Sequence, residues 1–167
     1  MVALNVACSK EDDNPRTPDN INGIWQNEGN VYKKFQSDYY LRTLTVEYQD
    51  GQSIGTWGES EVYFYEPGYN LVIYVTTSHE ADVYQIVKMD SNSFTWCPVD
   101  KIDDKGDESI GEIIGDIINK AQEGYELNPE LYQKFIKISD LKFEEMLESL
   151  DIIIDPWMDD DEDEDED

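Results

Sequence analysis

The stretch that decides the fold is residues 40–52, which reads YLRTLTVEYQDGQ. Leu44, Val46 and Tyr48 occupy alternate positions and are apolar. The residues between them are polar: Thr43, Thr45 and Glu47. A period of two indicates a β-strand with one buried and one wet face. Asp50-Gly51 then predicts a tight hairpin turn, because both residues tolerate the positive φ that such turns require.

Further short segments after this hairpin are rich in β-branched and aromatic residues, which favour strands. They are Glu61–Tyr65, Leu71–Thr76, Asp82–Met89 and Ser93–Cys97. Turn residues separate them at intervals of about ten residues. This rhythm predicts a mainly β fold, an antiparallel meander closed into a small barrel, with a two-sheet sandwich as the alternative.

A Gly-x-Trp motif, Gly23-Ile24-Trp25, opens the β region. It resembles the opening motif of lipocalins and of the lipocalin-like domains of bacterial lipoproteins. The resemblance implies that Trp25 plugs the closed end of a barrel whose open end holds a small apolar ligand. Two alternatives stay open: Trp25 as an ordinary core aromatic, and a narrow barrel filled by its own side chains.

The N-terminus carries a candidate lipidation site at Cys8. Val6-Ala7-Cys8 resembles the end of a lipobox, and Ser9–Asp13 resembles the acidic export signal of some Gram-negative lipoproteins. Only seven residues precede Cys8, so we expect the printed sequence to start inside the signal peptide. The resemblance implies a lipid anchor on Cys8, the outer membrane as location and the cell surface as the exposed side. The alternative is a cytosolic protein with an incidental cysteine.

Charge limits the classes of partner. The formal net charge is −27 over 167 residues, and nine of the acids lie in residues 159–167. Binding to nucleic-acid phosphates needs Lys and Arg, so we expect no nucleic-acid partner. Contact with an anionic membrane likewise requires a covalent anchor.

The C-terminal third predicts helices. Ser109 and Glu112 fit a capping box, and isoleucines follow at helical spacing up to Gly124. Asn128-Pro129 predicts a second, short helix carrying Leu131, Tyr132, Phe135 and Ile136. A third is expected from Ser139 or Asp140 to Leu150, and Ile152–Ile154 is expected as an edge strand. The helical segment should pack on the barrel.

These patterns divide the chain into three parts. Residues 1–20 form a signal remnant and linker, and residues 21–154 form the domain, with the barrel in 21–99 and the helical part in 107–150. Residues 155–167 form an acidic tail that self-repulsion should keep disordered.

Candidate catalytic and metal-binding patterns are weak. Gly51–Gly55 matches a G-x-S-x-G string around Ser53, but a nucleophile elbow requires a following helix, and the only histidine is His79. Asp100–Glu112 partly matches the spacing of an EF-hand calcium loop. Lysines stand at positions of that loop where oxygen ligands are required, which argues against a calcium site. We therefore expect no catalytic residues, no metal and no cofactor. Cys97, without an expected disulfide partner, is interpreted as a buried apolar residue.

Aromatic residues on the strands offer a second type of binding surface. Tyr63, Tyr65, Tyr74 and Tyr84 could grip a sugar or a protein if exposed, or simply cover a half-buried face. The sequence thus predicts a surface-tethered, non-enzymatic binding or accessory lipoprotein for a small apolar ligand, a glycan or a protein. The alternative is a protective or inhibitory lipoprotein that binds a basic protein partner.

Overall fold

The computed structural model describes residues 21–36, 39–66, 68–75, 80–103 and 108–156. Cys8, the linker before residue 21, His79 and the acidic run from residue 157 lie outside these residues. In the described part there are ten strands and two α-helices. The strands are β1 Gly23–Asn27, β2 Val31–Phe35, β3 Tyr40–Gln49, β4 Gln52–Trp57, β5 Glu61–Glu66, β6 Leu71–Val75, β7 Ala81–Met89, β8 Ser93–Ile102, β9 Gln133–Ile138 and β10 Ile152–Ile154. The helices are α1 Ile110–Glu123 and α2 Asp140–Glu148.

Eight of the strands close into an antiparallel barrel in the order β1-β2-β3-β5-β6-β7-β8-β9. Pairing of β9 with both β8 and β1 completes the ring. The predicted fold class, a mainly β chain with a small closed barrel and a packed C-terminal helical segment, is confirmed. The predicted hairpin is present as well, since Asp50 and Gly51 have φ values of 50° and 80° and Gln49 pairs with Gln52.

The strand β3 is shared between the barrel and a side sheet. Its start, at Tyr40 and Leu41, pairs with β5, and its later residues from Leu44 onward pair with β4. The strand β10 extends this side sheet by pairing in parallel with β4, which confirms the expected edge strand at Ile152–Ile154. Because β3 turns away from β5 after two residues, the barrel wall opens at this point.

The prediction of a helix carrying Leu131, Tyr132, Phe135 and Ile136 is wrong. A single 3₁₀ turn, Pro129–Leu131, leads directly into β9. Phe135 is fully enclosed in the barrel, whereas Ile136 is exposed, so the segment follows strand alternation. The barrel is therefore not confined to residues 21–99, since its closing strand lies in the part assigned to helices.

Both α-helices cover the outside of the barrel. The stripe of α1, with Ile113 and Ile117 buried, packs on the outward side chains of β6, β7 and β8. Ser109 caps this helix: the Glu112 N–H donates to its Oγ at 3.3 Å, and its own N–H donates to Glu112 Oε2 at 2.7 Å. The shorter α2 buries Phe143 against the outer face of β1, β2 and β3.

The C-terminal boundary of the domain lies slightly further along than expected. Asp155, assigned to the disordered tail, forms an ion pair with Arg42 at 2.7 Å. The guanidinium of Arg42 also lies over the ring of Trp57, with its central carbon 4.6 Å from the ring centroid. These contacts hold the chain against the side sheet just after β10.

Candidate binding site

Aromatic side chains fill much of the barrel interior. Trp25 is fully buried there, and its Nε1–H donates to the carbonyl of Ile21 at 2.8 Å. Its ring meets Phe94 edge-on, with centroids 4.9 Å apart. Burial of Trp25 agrees with both interpretations of the residue, the plug and the ordinary core aromatic. At Gly23, where φ is +127°, an added Cβ would lie 2.9 Å from Lys137 Cε, so a side chain there would be strained.

One part of the interior is polar and open to solvent. A pocket of about 270 Å³ lies beside the opening in the wall between β3 and β5. Side chains from β2, β3, β5, β6 and β7 line it, together with the loop Gly58–Ser60 that leads into β5. We refer to this space, bounded by Lys33, Thr43, Glu61, Tyr74, Asp82, Tyr84 and that loop, as the barrel pocket.

Lys33 is the central cation of the barrel pocket. Its Nζ donates a hydrogen bond to Thr43 Oγ1 at 3.1 Å. The ammonium lies over two aromatic rings, 5.2 Å from the centroid of Tyr74 and 5.7 Å from that of Trp96. Burial lowers the pKa of Lys33 from 10.5 to about 8, although the nearby carboxylates Glu61 and Asp82 favour the charged form.

Two carboxylates face this lysine from neighbouring strands. Glu61 begins β5 and Asp82 lies near the start of β7. In the described part of the chain, neither approaches Lys33 closely enough to form an ion pair within 4 Å. Burial raises the pKa of Glu61, and the positive charge of Lys33 opposes that shift. The barrel pocket thus contains cationic and anionic groups with space between them.

Two tyrosines, Tyr74 and Tyr84, line the barrel pocket. Tyr84 stacks on Trp96 with a centroid distance of 4.3 Å and an interplanar angle of 25°, and Tyr74 lies 4.9 Å from Tyr84. The Tyr74 hydroxyl is buried, and among the described residues it has no hydrogen-bond partner. Burial and the neighbouring acidic groups raise the pKa of Tyr74, and burial raises that of Tyr84 to about 12. Both phenols are therefore neutral donors at physiological pH.

The aromatic residues suggested as an exposed surface do not form one. Tyr63, Tyr65 and Tyr74 are buried and Tyr84 is partly buried, with all four directed into the barrel. The alternative interpretation, in which tyrosine simply covers a strand face, is confirmed for Tyr63, Tyr65 and Tyr74. For Tyr74 and Tyr84 the structure adds that their rings border the barrel pocket.

Residues Lys33, Glu61 and Asp82 were not identified from the sequence. A signal was present at Lys33, because it lies two residues before the core residue Phe35 and so shares the inward face of β2, where a charge is costly. Recognising that signal requires knowing which face of the strand is inward, and the period of two does not supply this information.

Ser53 has a structural position. It lies in β4, where its N–H and hydroxyl both donate to Asp151 Oδ2, at 2.8 and 3.1 Å, and its Oγ accepts from the Asp151 N–H. These bonds join β4 to the segment leading into β10, so Ser53 does not stand at a strand-to-helix elbow. Cys97 is fully buried, as expected of an apolar core residue.

No cluster of three or more His, Cys, Asp or Glu residues suited to a metal ion occurs within the described ranges. Nor does any helix in these ranges have the length and apolar character required to cross a membrane. Comparison of the chain with protein-family models, with curated proteins and with solved structures found no match.

Proposed function

We propose that this chain is a non-catalytic binding lipoprotein that takes a small ligand into the barrel pocket. The observation that carries the proposal is the set of polar groups held inside an otherwise aromatic barrel. A half-buried lysine and a buried hydroxyl without a partner among the described residues both cost stability, and such groups cluster where a protein binds other molecules.

The size of the barrel pocket favours a small ligand. Ligand pockets for drug-sized molecules span roughly 300–1,000 Å³, and the barrel pocket is slightly smaller, at about 270 Å³. Aromatic rings occupy the interior next to it, including those of Trp25, Phe94 and Trp96. A long apolar ligand threaded through the barrel would have to displace these rings, whereas a compact molecule would not.

A non-catalytic role is supported by the way the candidate nucleophile is used. The hydroxyl of Ser53 is bonded to Asp151 in the side sheet, away from the residues that line the barrel pocket. Lys33, Glu61 and Asp82 are arranged on different strands with room between them, which suits several hydrogen bonds to one ligand.

Binding can be tested with ¹⁵N-labelled protein titrated with sugars, amino acids, short carboxylic acids, amines and fatty acids. We expect at least one compound class to shift the backbone amide signals of Lys33, Tyr74 and Tyr84. Lys33→Met should lose these shifts. The matched control Lys34→Met, which changes the neighbouring lysine on the outward face of β2, should keep them. If none of the classes moves these signals, the binding function is wrong.

The proposal also places the protein on the outer-membrane cell surface of a Gram-negative bacterium, anchored through lipid on Cys8. The support is the lipobox-like Val6-Ala7-Cys8 and the acidic residues that follow it. Several acyl chains on one cysteine bind a membrane far more firmly than a single chain.

The anchor can be tested in bacteria that express the chain behind a functional lipoprotein signal peptide. Wild-type protein should incorporate an alkyne-tagged fatty acid, and Cys8→Ser should not, while Cys97→Ser should label normally. Labelling of Cys8→Ser would contradict the assignment of the anchor. Digestion of intact cells with a protease then distinguishes the cell surface from the periplasm.

A further inference from the structure

We infer that the ligand of the barrel pocket is a neutral sugar ring, either a free monosaccharide or the terminal sugar of a glycan. This inference rests on the proposed binding function and names its ligand class. It follows from three properties of the pocket: its mixture of donors and acceptors, its charge, and its rigid aromatic side.

The barrel pocket offers both donors and acceptors that are not fully used. The Lys33 ammonium has three N–H donors, and its one hydrogen bond in the described residues goes to Thr43. The Tyr74 hydroxyl lies buried beside the pocket without a partner among these residues. Glu61 and Asp82 contribute carboxylate oxygens, which only accept when ionised. A ligand with several hydroxyl groups can accept from the lysine and the tyrosine while donating to the acids.

The charges around the barrel pocket disfavour anionic ligands. Glu59, Glu61 and Asp82 line it together with the single cation Lys33, so the lining is negative when all four are ionised. An anionic ligand would be repelled by the three carboxylates, whereas a cationic ligand would be attracted by them and opposed only by the ammonium of Lys33. A neutral polyhydroxylated molecule avoids the repulsion and can still use both the donors and the acceptors.

The aromatic side fits the apolar face of a sugar ring. Tyr84 lines the barrel pocket and is fixed by stacking on Trp96 at 4.3 Å. A rigid ring can pack against the C–H face of a sugar without losing side-chain freedom on binding. The volume of about 270 Å³ suits one ring, so further sugars of a glycan would extend into solvent past the loop Gly58–Ser60.

The test uses saturation-transfer and amide-shift NMR with four matched probes. Methyl β-glucoside and N-acetylglucosamine are neutral, glucuronate carries a negative charge, and glucosamine carries a positive charge. We expect the neutral probes to bind and to shift the signals of Tyr84 and Trp96. Glucuronate should bind about tenfold more weakly, the size of effect expected for one unfavourable charge. Glucosamine should bind no more tightly than the neutral probes, because its ammonium would share the pocket with that of Lys33.

Variants locate the site and separate binding from folding. Tyr74→Phe removes only the hydroxyl and should weaken sugar binding about fivefold to tenfold, the effect of one lost hydrogen bond. Its melting temperature should stay the same or rise, because the removed hydroxyl has no partner in the described part of the fold. The control Lys34→Met should bind as wild type does.

Three results would overturn the inference. Amines, amino acids, fatty acids or other acids could shift the barrel pocket signals while neutral sugars do not, in which case the ligand class is wrong and the binding function stands. A sugar could bind wild type and Tyr74→Phe with equal affinity, which would place it outside the barrel pocket. If no compound tested shifts the signals of the barrel pocket, the binding function and the ligand class are both wrong.

Discussion

Replacing Lys33 by methionine should stabilise the protein at neutral pH. Lys33 is held over Tyr74 and Trp96 within the barrel, and burial lowers its pKa from 10.5 to about 8. Methionine has a similar unbranched shape and stands in for the neutral lysine. A pKa change of this size corresponds to about 3 kcal/mol of lost stability for the charged form, at about 1.4 kcal/mol per pH unit.

Partial exposure reduces this cost. The Lys33 side chain is half-buried and borders a pocket that is open to solvent, so water screens its charge. We therefore expect Lys33→Met to raise the free energy of unfolding at pH 7 by roughly 1–2 kcal/mol, which is the pKa cost reduced for this screening. The corresponding rise in melting temperature is about 2–8 °C for a domain of this size.

The stabilisation should depend on pH in a defined direction. Between pH 8 and 10.5 the unfolded chain keeps the proton on Lys33 while the folded chain loses it. The unfolded state then binds more protons, so the stability of the wild type rises with pH in this window. The advantage of Lys33→Met should consequently shrink between pH 7 and pH 9.5.

Urea denaturation of wild type, Lys33→Met and Lys34→Met at pH 7, 8.5 and 9.5 measures this difference. The upper limit of pH 9.5 keeps Tyr74 and Tyr84 protonated in the folded state, since their folded pKa values lie above the ordinary value of 10. Ionisation of tyrosines in the unfolded state is common to the three proteins and cancels in the comparison. Destabilisation by Lys33→Met at pH 7, or a difference that does not change with pH, would refute the reasoning about this lysine.

Three further predictions concern the frame that holds the barrel pocket. Trp25→Phe removes the hydrogen bond to the Ile21 carbonyl and leaves a gap, so the free energy of unfolding should fall by roughly 1–3 kcal/mol in urea denaturation. Ile117→Ala should cost about 2–5 kcal/mol, because this fully buried side chain joins α1 to the barrel. Asp151→Asn should speed hydrogen exchange of the β10 amides. In the wild type, the protection of these amides should fade as the pH falls below 3.8, because accepting the Ser53 N–H lowers the pKa of Asp151 and the bond is lost when this carboxylate is protonated.

Features determined by neighbouring residues could be predicted from the sequence. The Asp50-Gly51 hairpin is fixed by two residues that accept positive φ, and the capping box by Ser109 and Glu112. The isoleucine stripe of α1 likewise specified a helix with one buried face. Each of these elements is decided within a few residues, so propensity and period were sufficient.

β9 could not be predicted in this way. Six residues, Gln133–Ile138, are too few for their apolar spacing to separate a strand from a helix. Pairing with β1 on one side and β8 on the other decides their conformation, and both partners are distant in sequence. Closure of the barrel therefore overrides the local pattern.

The barrel pocket could not be predicted from the sequence, because the alternation of residues in β3 does not show which of its faces is inward. Alternation correctly divided its residues into two faces, but the apolar face of Leu44 turns outward to Phe143 of α2. The polar face turns inward, where Thr43 reaches the barrel pocket and accepts the hydrogen bond of Lys33. Polar residues on a strand ordinarily indicate the solvent side, and here they indicate the interior.

Two features that lower stability meet in the barrel pocket, and their coincidence is the strongest argument for a ligand. The lysine on β2 and the tyrosine hydroxyl on β6 belong to separate strands, yet both border the same opening that forms where β3 leaves β5. A leucine and a phenylalanine at these positions would fill the space and remove both costs. A barrel selected for stability alone would have no reason to keep either polar group, whereas a barrel that binds a hydroxylated ligand requires both. We therefore expect Lys33→Met to gain stability and to lose ligand binding, and the two measurements test one cause.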